Sequence, residues 1–144
     1  MSEILSNPPQ KVLEAIKALK SDLGSKIPAK NDNNVLIATW NIREFGDLTE
    51  KWEAPNNSSP KRDMESLLCI IEIIKSFDII AVQEVQDNIK CLRETMKALG
   101  DDWSFLMTDV TQGDKGDGER LAFIFNNKKV RLSWIACEIV VPEE

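Results

Sequence analysis

Two short apolar runs, separated by a segment with helical periodicity, constrain the fold of this chain more than any other feature. Val35 to Ile42 and Asp78 to Val85 are rich in β-branched and aliphatic residues, as is typical of strands buried on both faces. Between them, apolar residues recur at helical spacing and predict a helix from Pro60 to Ser76, with Ser59 as its N-cap. This order predicts a βαβ unit whose two strands are parallel neighbours.

Helices are predicted on both sides of this unit. A helix from Pro9 to Leu23, ended by Gly24, precedes it and is followed by a polar linker. We therefore divide the chain into an N-terminal helix and linker, residues 1–34, and a main domain, residues 35–144. After the βαβ unit, Asp87 is the expected N-cap of a third helix, which Gly100 ends.

In the last part of the chain, apolar residues recur with a period of two, as is typical of strands. Trp103 to Thr108, Arg120 to Asn126 and Val130 to Cys137 are predicted strands, and Asn126 to Lys129 suits a hairpin turn. The expected fold class is α/β, or α+β in some schemes. It is a mixed sheet with a β-α-β-α start followed by an antiparallel meander.

The absence of histidine is the most restrictive fact of composition. It excludes Ser-His-Asp and Cys-His nucleophile systems and any imidazole base. Tyrosine is absent too, so chemistry must come from carboxylates, amides, Lys, Arg, Ser, Thr or a bound ion. With 18 basic and 24 acidic side chains, the net charge of −6 counts against tight nonspecific binding to nucleic acid.

The cysteines and the first residues indicate a cytoplasmic protein. Cys69, Cys91 and Cys137 have no metal-ligand spacing and are interpreted as buried thiols in a reducing compartment. Met1 to Gln10 has neither the basic nor the apolar part of a secretion signal, and no apolar run is long enough to cross a membrane. We expect no membrane partner.

Polar residues lie where the two strands of the βαβ unit are expected to end. Asn41 is in the first strand, and Gln83 and Glu84 are in the second. Ligands of open α/β sheets bind at the carboxyl ends of strands, so Asn41 and Glu84 should converge. A carboxylate and an amide oxygen suit Mg²⁺ or Mn²⁺. The alternative is that both side chains only cap strand ends and bond to backbone groups.

Three motifs resemble those of the endonuclease/exonuclease/phosphatase superfamily, which has the deoxyribonuclease I-like fold. They are Ala38-Thr-Trp-Asn-Ile-Arg-Glu-Phe-Gly46, Phe77-Asp-Ile-Ile-Ala-Val-Gln-Glu-Val85 and Gly118-Glu-Arg-Leu-Ala-Phe-Ile-Phe125. They occur in the family's order with helices between the first two and after the second. The resemblance spans Val35 to Val141 and covers only the first half of the family's α/β sandwich.

The resemblance implies roles for four residues. Asn41 matches the asparagine that helps to hold the metal and the scissile phosphate, and Glu84 matches the principal metal-binding glutamate. Arg43 follows the first motif and is expected to contact a phosphate or the surroundings of Glu84, and Arg120 stands where related proteins carry an arginine before the strand that lines the cleft. The alternatives are that Arg43 is an exposed arginine with no ligand role, and that Arg120 forms a salt bridge with Glu119 or the acidic loop.

The implied activity is Mg²⁺- or Mn²⁺-dependent hydrolysis of a phosphodiester, with DNA among the candidate substrates beside RNA, sugar phosphates and lipid phosphates. Several family features have no counterpart. Leu121 stands where a tyrosine is frequent, and the later motifs with two catalytic histidines are missing. We therefore expect a truncated half that is weakly active or inactive, and we leave open whether the chain itself is an enzyme.

The alternative function is a non-catalytic binding or assembly module. A chain with only the first half of the sandwich presents an apolar sheet face to water, and such a face favours association. The chain would then bury its open sheet against a copy of itself or a partner, with the helix Pro9 to Leu23 as a cover or docking element. Among the tryptophans, only Trp52 is a candidate for substrate contact, because the others lie in strand patterns.

Overall fold

A computed structural model describes residues 3–109 and 118–133 of the chain. These residues form a mixed α/β arrangement with one four-stranded sheet and three α-helices, which confirms the predicted class. A single 3-10 turn at Glu3–Leu5 precedes them. In chain order the elements are α1 (Gln10–Lys26), β1 (Ile37–Phe45), α2 (Met64–Lys75), β2 (Ile79–Val85), α3 (Lys90–Leu99), β3 (Trp103–Met107) and β4 (Arg120–Asn126).

The sheet has the strand order β1-β2-β4-β3. The predicted βαβ unit is confirmed, since β1 and β2 are adjacent and parallel, with Ile37 opposite Ile79 and Asn41 opposite Gln83. β4 is antiparallel to β2 on one side and to β3 on the other. This order makes β2 and β4 the central strands and leaves β1 and β3 at the edges of the described sheet.

The helices α2 and α3 pack on one face of the sheet and form the core with it. Apolar side chains of α2 and α3 meet those of the strands in one cluster, whose buried members include Leu67, Ile71, Ile74, Ile80, Val82, Leu92, Ala122 and Ile124. At about 25 cal/mol per Å² of apolar surface buried, such a cluster is the main source of folding free energy. α1 packs against α2, so it adds to the helix layer.

The opposite face of the sheet is only partly covered, so the prediction of strands buried on both faces was wrong. Along β1, exposed and partly buried residues alternate up to Asn41, and the Ile37 side chain is 73% exposed. Phe123, in β4, is 36% exposed on the same face, and Gln83 is exposed too. The reason is that α1, α2 and α3 all lie on the other side, and no described element packs over this face.

Two helix starts differ from the prediction: for α2 a better capping group lies nearby, and for α3 the expected cap, Asp87, is engaged elsewhere. α2 begins after Asp63 and not at Pro60: the Asp63 carboxylate accepts a hydrogen bond from the backbone N–H of Ser66, and the Ser66 hydroxyl accepts one from the N–H of Asp63. This reciprocal capping box satisfies two donors at once, which Ser59 cannot do. α3 begins at Lys90, and Asp87 forms an ion pair with Arg120.

Of the two predicted helix ends, one is confirmed and one was wrong. Gly100 ends α3 with a φ of 82°, a conformation that glycine adopts without a Cβ clash. α1, however, runs through Gly24 to Lys26 and ends at Ile27, just before Pro28. A glycine inside a helix costs only about 1 kcal/mol, so the predicted stop is not obligatory.

The predicted hairpin after β4 is not formed as a pair of strands. Asn126 to Lys129 does turn, with the Lys129 and Val130 N–H groups donating to the Asn126 carbonyl. β4, however, is paired by β2 on one edge and β3 on the other, so a third strand has no free edge there. Residues 130–133 are not a strand, and the rest of the predicted strand Val130 to Cys137 lies outside the described residues.

The linker after α1 is attached to the sheet by Lys30. Its Nζ donates to the Phe77 carbonyl at 2.6 Å and lies 3.2 Å from Oδ1 of the buried Asp78. Asp78 Oδ2 also accepts from the Leu36 N–H at 2.8 Å. These contacts join the linker to the start of β2. In the described ranges, no helix combines the length and the apolarity that a membrane span requires.

Candidate functional site

Glu84 lies where the ladders on both sides of β2 are irregular. Toward β1, pairing stops at Asn41–Gln83 and resumes at Phe45–Val85, so three residues of β1 lie opposite Glu84 alone. Toward β4, pairing stops at Val82–Ala122 and resumes at Val85–Arg120. Bulges of this kind re-aim side chains and are frequent beside active sites. The expected strand-end residues therefore lie at an interruption within the strands, and β1 continues to Phe45.

The backbone at this interruption is strained. Glu84 has a φ of 60° and Glu44 a φ of 48°, both in the left-handed region, where a non-glycine residue costs about 1–3 kcal/mol. The Glu44 N–H donates to Glu84 Oε2 at 3.1 Å. This bond joins the two irregular segments and fixes one oxygen of the Glu84 carboxylate.

Asn41 and Glu84 both have polar atoms available for a ligand. The Asn41 side chain is exposed and makes no hydrogen bond to the described residues, and it lies in register with Gln83, the neighbour of Glu84. Within the same part of the chain, Glu84 Oε1 accepts no hydrogen bond, whereas Oε2 is held by Glu44. The half-buried Glu84 therefore keeps one carboxylate oxygen unused.

This donor set fits a weakly held hard cation. Over residues 3–109 and 118–133, no group of three or more Asp, Glu or Cys side chains is arranged to hold a metal. One carboxylate and one amide oxygen are instead the sparse protein contribution typical of Mg²⁺, which keeps several waters and takes substrate phosphate oxygens as further ligands. A cation held by one carboxylate and one amide oxygen would take its remaining ligands from water or from a substrate phosphate.

Arg43 is exposed at the bulge of β1. Its Nε lies 3.5 Å from Glu44 Oε1, and its side chain is 67% exposed. Such a loose, solvated pair contributes little to stability. The Arg43 guanidinium is thus free to turn toward a ligand, while its backbone carbonyl is fixed by a hydrogen bond from Arg62 Nη2.

Arg120 is held more firmly than Arg43. It lies opposite Val85, one residue beyond Glu84, and its side chain is 16% exposed. Its Nη1 donates to the Gln86 carbonyl at 3.1 Å and lies 3.2 Å from Asp87 Oδ1. The expected alternative partner, Glu119, instead accepts from Gln86 Nε2 at 3.1 Å. Arg120 therefore stabilises the loop between β2 and α3.

Two residues of this region were not identified from the sequence. Glu44 positions Glu84 through its backbone N–H, an interaction for which the sequence has no signal. Arg62 has no sequence feature that distinguishes it from a surface cation such as its neighbour Lys61, yet it is half-buried and reaches the end of β1. Trp52, the expected substrate contact, instead packs partly buried against the core.

The described cysteines are structural. Cys91 is buried, its Sγ donates to the Asp47 carbonyl at 3.0 Å, and burial raises the pKa of its thiol to about 12. Burial also raises the pKa of the half-buried Cys69, with the carboxylates of Glu65, Asp63 and Glu72 acting in the same direction. Both thiols are protonated at neutral pH and are poor nucleophiles. Cys137 lies outside the described residues.

Asn41 and Glu84 thus lie at the same interruption between β1 and β2, with Arg43 on the bulge of β1 and Arg120 supporting the neighbouring loop. Comparison with models of known protein families and with curated proteins finds no match to this chain.

Proposed function

We propose that this chain contributes Asn41 and Glu84 to a Mg²⁺- or Mn²⁺-dependent site for phosphodiester hydrolysis, in a deoxyribonuclease I-like fold of the endonuclease/exonuclease/phosphatase superfamily. The three sequence motifs support the family. The observation that carries the proposal is Glu84 itself: a carboxylate in a strained bulge, with one oxygen fixed by Glu44 and the other unused. Strain that persists beside an unused polar atom is typical of functional positions.

The residues of the chain would bind and orient the substrate. Bound at this site, the cation supplies Lewis-acid polarisation of a phosphoryl oxygen. Glu84 would hold the cation through its unused oxygen, because the Glu44 N–H fixes the second oxygen of the carboxylate. Asn41 contributes an amide oxygen, and Arg43 offers a guanidinium to a non-bridging phosphate oxygen. No described residue is a histidine base, so we expect weak activity or none from this chain by itself.

Titration with Mn²⁺ tests the proposal directly. Binding to the full chain is followed by calorimetry and by the loss of the free Mn²⁺ resonance signal. We expect weak binding by the wild type, and a decrease of at least about tenfold in Glu84→Gln, because a charged ligand is replaced by a neutral one. Glu14→Gln, which removes one negative charge from α1, is the matched control and should bind as the wild type does.

Hydrolysis of bis(4-nitrophenyl) phosphate with Mn²⁺ provides the second measurement. Any turnover by the wild type should be absent in Glu84→Gln and present in Glu14→Gln. If all three proteins bind Mn²⁺ with the same affinity, Glu84 is not a metal ligand and the proposed function is wrong.

The partly covered sheet face favours a second function, assembly through this face with a copy of the chain or with a partner. Ile37 and Phe123 lie on it with exposed fractions of 73% and 36%. α1, expected as a cover, packs against α2 and therefore belongs to the helix layer. A chain that associates and whose size and stability do not respond to Mg²⁺ would favour assembly over catalysis.

A further inference from the structure

A polar cavity of about 250 Å³ adjoins the bulge of β1. Its walls include Glu44, Asp47, Thr49, Ser58, Ser59 and Arg62. Glu44 belongs both to this cavity and to the candidate metal site, because its backbone N–H bonds to Glu84 while the residue itself lines the cavity. The two sites are therefore neighbours, separated by a single residue of β1.

Arg62 is a half-buried cation without a counter-ion. Its side chain lies within 4 Å of no carboxylate in the described ranges, and its one hydrogen bond there goes to the neutral carbonyl of Arg43. Its Nε is buried and has no partner. Burying a guanidinium costs free energy unless it is paired, so an unpaired one beside a cavity indicates an anionic ligand.

The other groups around the cavity fit this interpretation. Thr49, Ser58 and Ser59 offer hydroxyl donors, and the Thr49 N–H donates to the Arg62 carbonyl at 2.8 Å, which fixes the backbone of Arg62. The Glu44 carboxylate is partly neutralised by Arg43. The Asp47 carboxylate, which lies near the Lys90 ammonium, also lines the cavity and weakens the attraction for an anion.

We propose that this cavity, the Arg62 cavity, binds a second phosphate group of the substrate, one that is not hydrolysed. The inference rests on the proposed function and specifies its substrate class: a molecule with two phosphates, of which one lies at Glu84 and the other at Arg62. Arginine suits this role because its planar donors match phosphate oxygens. Arg62 thereby determines specificity and takes no part in bond cleavage.

Inorganic phosphate, titrated into the full chain without metal and with EDTA present, tests the subsite apart from the metal site. Amide resonances of Thr49, Ser58 and Ser59 should shift and saturate. Arg62→Gln should weaken phosphate binding by about tenfold or more, since the hydrogen bond from a charged guanidinium is lost. In Asp47→Asn the new amide oxygen can accept from the Leu48 N–H as the carboxylate does, and phosphate binding should strengthen by about threefold because a like charge is removed.

The outcomes separate failure of the subsite from failure of the proposed function. Glu84→Gln should leave phosphate binding in EDTA unchanged, because Glu84 is not part of the Arg62 cavity. Shifts spread over the surface, equal binding by wild type and Arg62→Gln, or weaker binding by Asp47→Asn would overturn the subsite, whatever the Mn²⁺ titration shows. If Arg62→Gln fails to fold, Asp47→Asn still tests the subsite, because its phosphate affinity should rise and a fall would contradict the proposal.

Two probes distinguish the sources of the second phosphate. A thymidine tetranucleotide without terminal phosphates presents internal phosphodiesters, and ribose 5-phosphate presents a terminal phosphomonoester. If the tetranucleotide binds more tightly than ribose 5-phosphate, and Arg62→Gln lowers its affinity, the ligand class is a nucleic-acid strand. Tighter binding of ribose 5-phosphate would identify a sugar phosphate. Failure of both probes to compete with inorganic phosphate would overturn the assignment of the cavity to a substrate.

Discussion

Glu44 and Glu84 hold left-handed backbone conformations at adjoining positions of two strands, and the folded chain tolerates the cost of both. The Glu44 N–H to Glu84 carboxylate bond repays part of this cost. The remainder must be offset by the core beneath, where Val82 and Val85 are fully buried. Glu84 is therefore held in place from below by packing and from the side by Glu44.

Replacing Glu44 with glycine tests the strain. Glycine adopts a φ of 48° without a Cβ clash and keeps the backbone N–H that bonds to Glu84. We expect Glu44→Gly to raise the free energy of unfolding by about 1 kcal/mol in urea denaturation. Glu44→Ala loses the same carboxylate but keeps the strain, so it is the matched control. Equal stabilities of the two variants would contradict the argument.

Asn41 offers a test of whether two side chains share one cation. If they do, Asn41→Asp adds a second carboxylate and should raise Mn²⁺ affinity by about tenfold, whereas Asn41→Ala should lower it. Calorimetric titration of both variants beside the wild type measures these changes. If both variants bind Mn²⁺ with the affinity of the wild type, Asn41 lies outside the site. Its alternative role, capping a strand end, would then be favoured.

From the sequence, site residues could be predicted only where they belong to a recognised motif. Asn41 and Glu84 were predicted as site residues from strand position and family resemblance, and their shared role stays a prediction; the register places Asn41 opposite Gln83, the residue before Glu84. The bulge, the positive φ of Glu84 and the role of Arg62 were not predicted. Each depends on contacts between segments far apart in the chain, such as Arg62 with Arg43, and no periodicity encodes these contacts.

At the scale of elements, the start of α2 depends on Asp63. Its carboxylate accepts from the N–H groups of Ser66 and Ala54, both at 2.9 Å. Burial by itself raises the pKa of Asp63, but the hydrogen bonds from Ser66 and Ala54 outweigh it and hold the net pKa below its usual range. The ionised carboxylate thus fixes both the helix and the loop that leads to the Arg62 cavity.

This lowered pKa predicts an acid-sensitive contribution to stability. A carboxyl whose pKa is lower in the folded state stabilises the protein above its unfolded pKa of about 3.9, and that contribution is lost as pH falls through the folded value. We expect Asp63→Ala to lower the free energy of unfolding by about 1–2 kcal/mol at pH 7. Urea denaturation at a series of pH values should show the difference from wild type shrinking below pH of about 4. A difference independent of pH would contradict the assignment.

The elements themselves were largely predictable, because buried strands and amphipathic helices have distinct periods. β4 was predicted with its observed bounds, and β2 within one residue. The start of α2 was predicted wrongly because two residues could cap the helix. Ser59 with Pro60 has the composition of a helix start, but Asp63 forms the capping hydrogen bonds with Ser66. The strand order could not be predicted, because the insertion of β4 between β2 and β3 is a choice of pairing between distant segments.

At the scale of the whole molecule, the two faces of the sheet are covered unequally by the residues that the structure describes. α2 and α3 pack on one face, with α1 against α2, and the opposite face carries Ile37, Phe123 and the half-buried Ile79, Ala81 and Leu121. Gln83 and Thr39 on this face bond to each other at 3.3 Å, which reduces the cost of burying them against an apolar partner. In either proposed function this face is the surface that a second layer would cover.

Lysine in place of Ile37 should reduce association through this face. Ile37 lies in an edge strand with its side chain 73% exposed, so lysine there costs little stability but introduces a charge that association would bury. Sedimentation over a range of concentrations should show the wild type associating, and Ile37→Lys with a dissociation constant raised by about tenfold or more. Leu13→Lys, an equivalent change at a 48% exposed residue of α1 in the helix layer, is the control. A wild type that stays monomeric, or equal effects of both lysines, would show that the chain does not assemble with itself through this face.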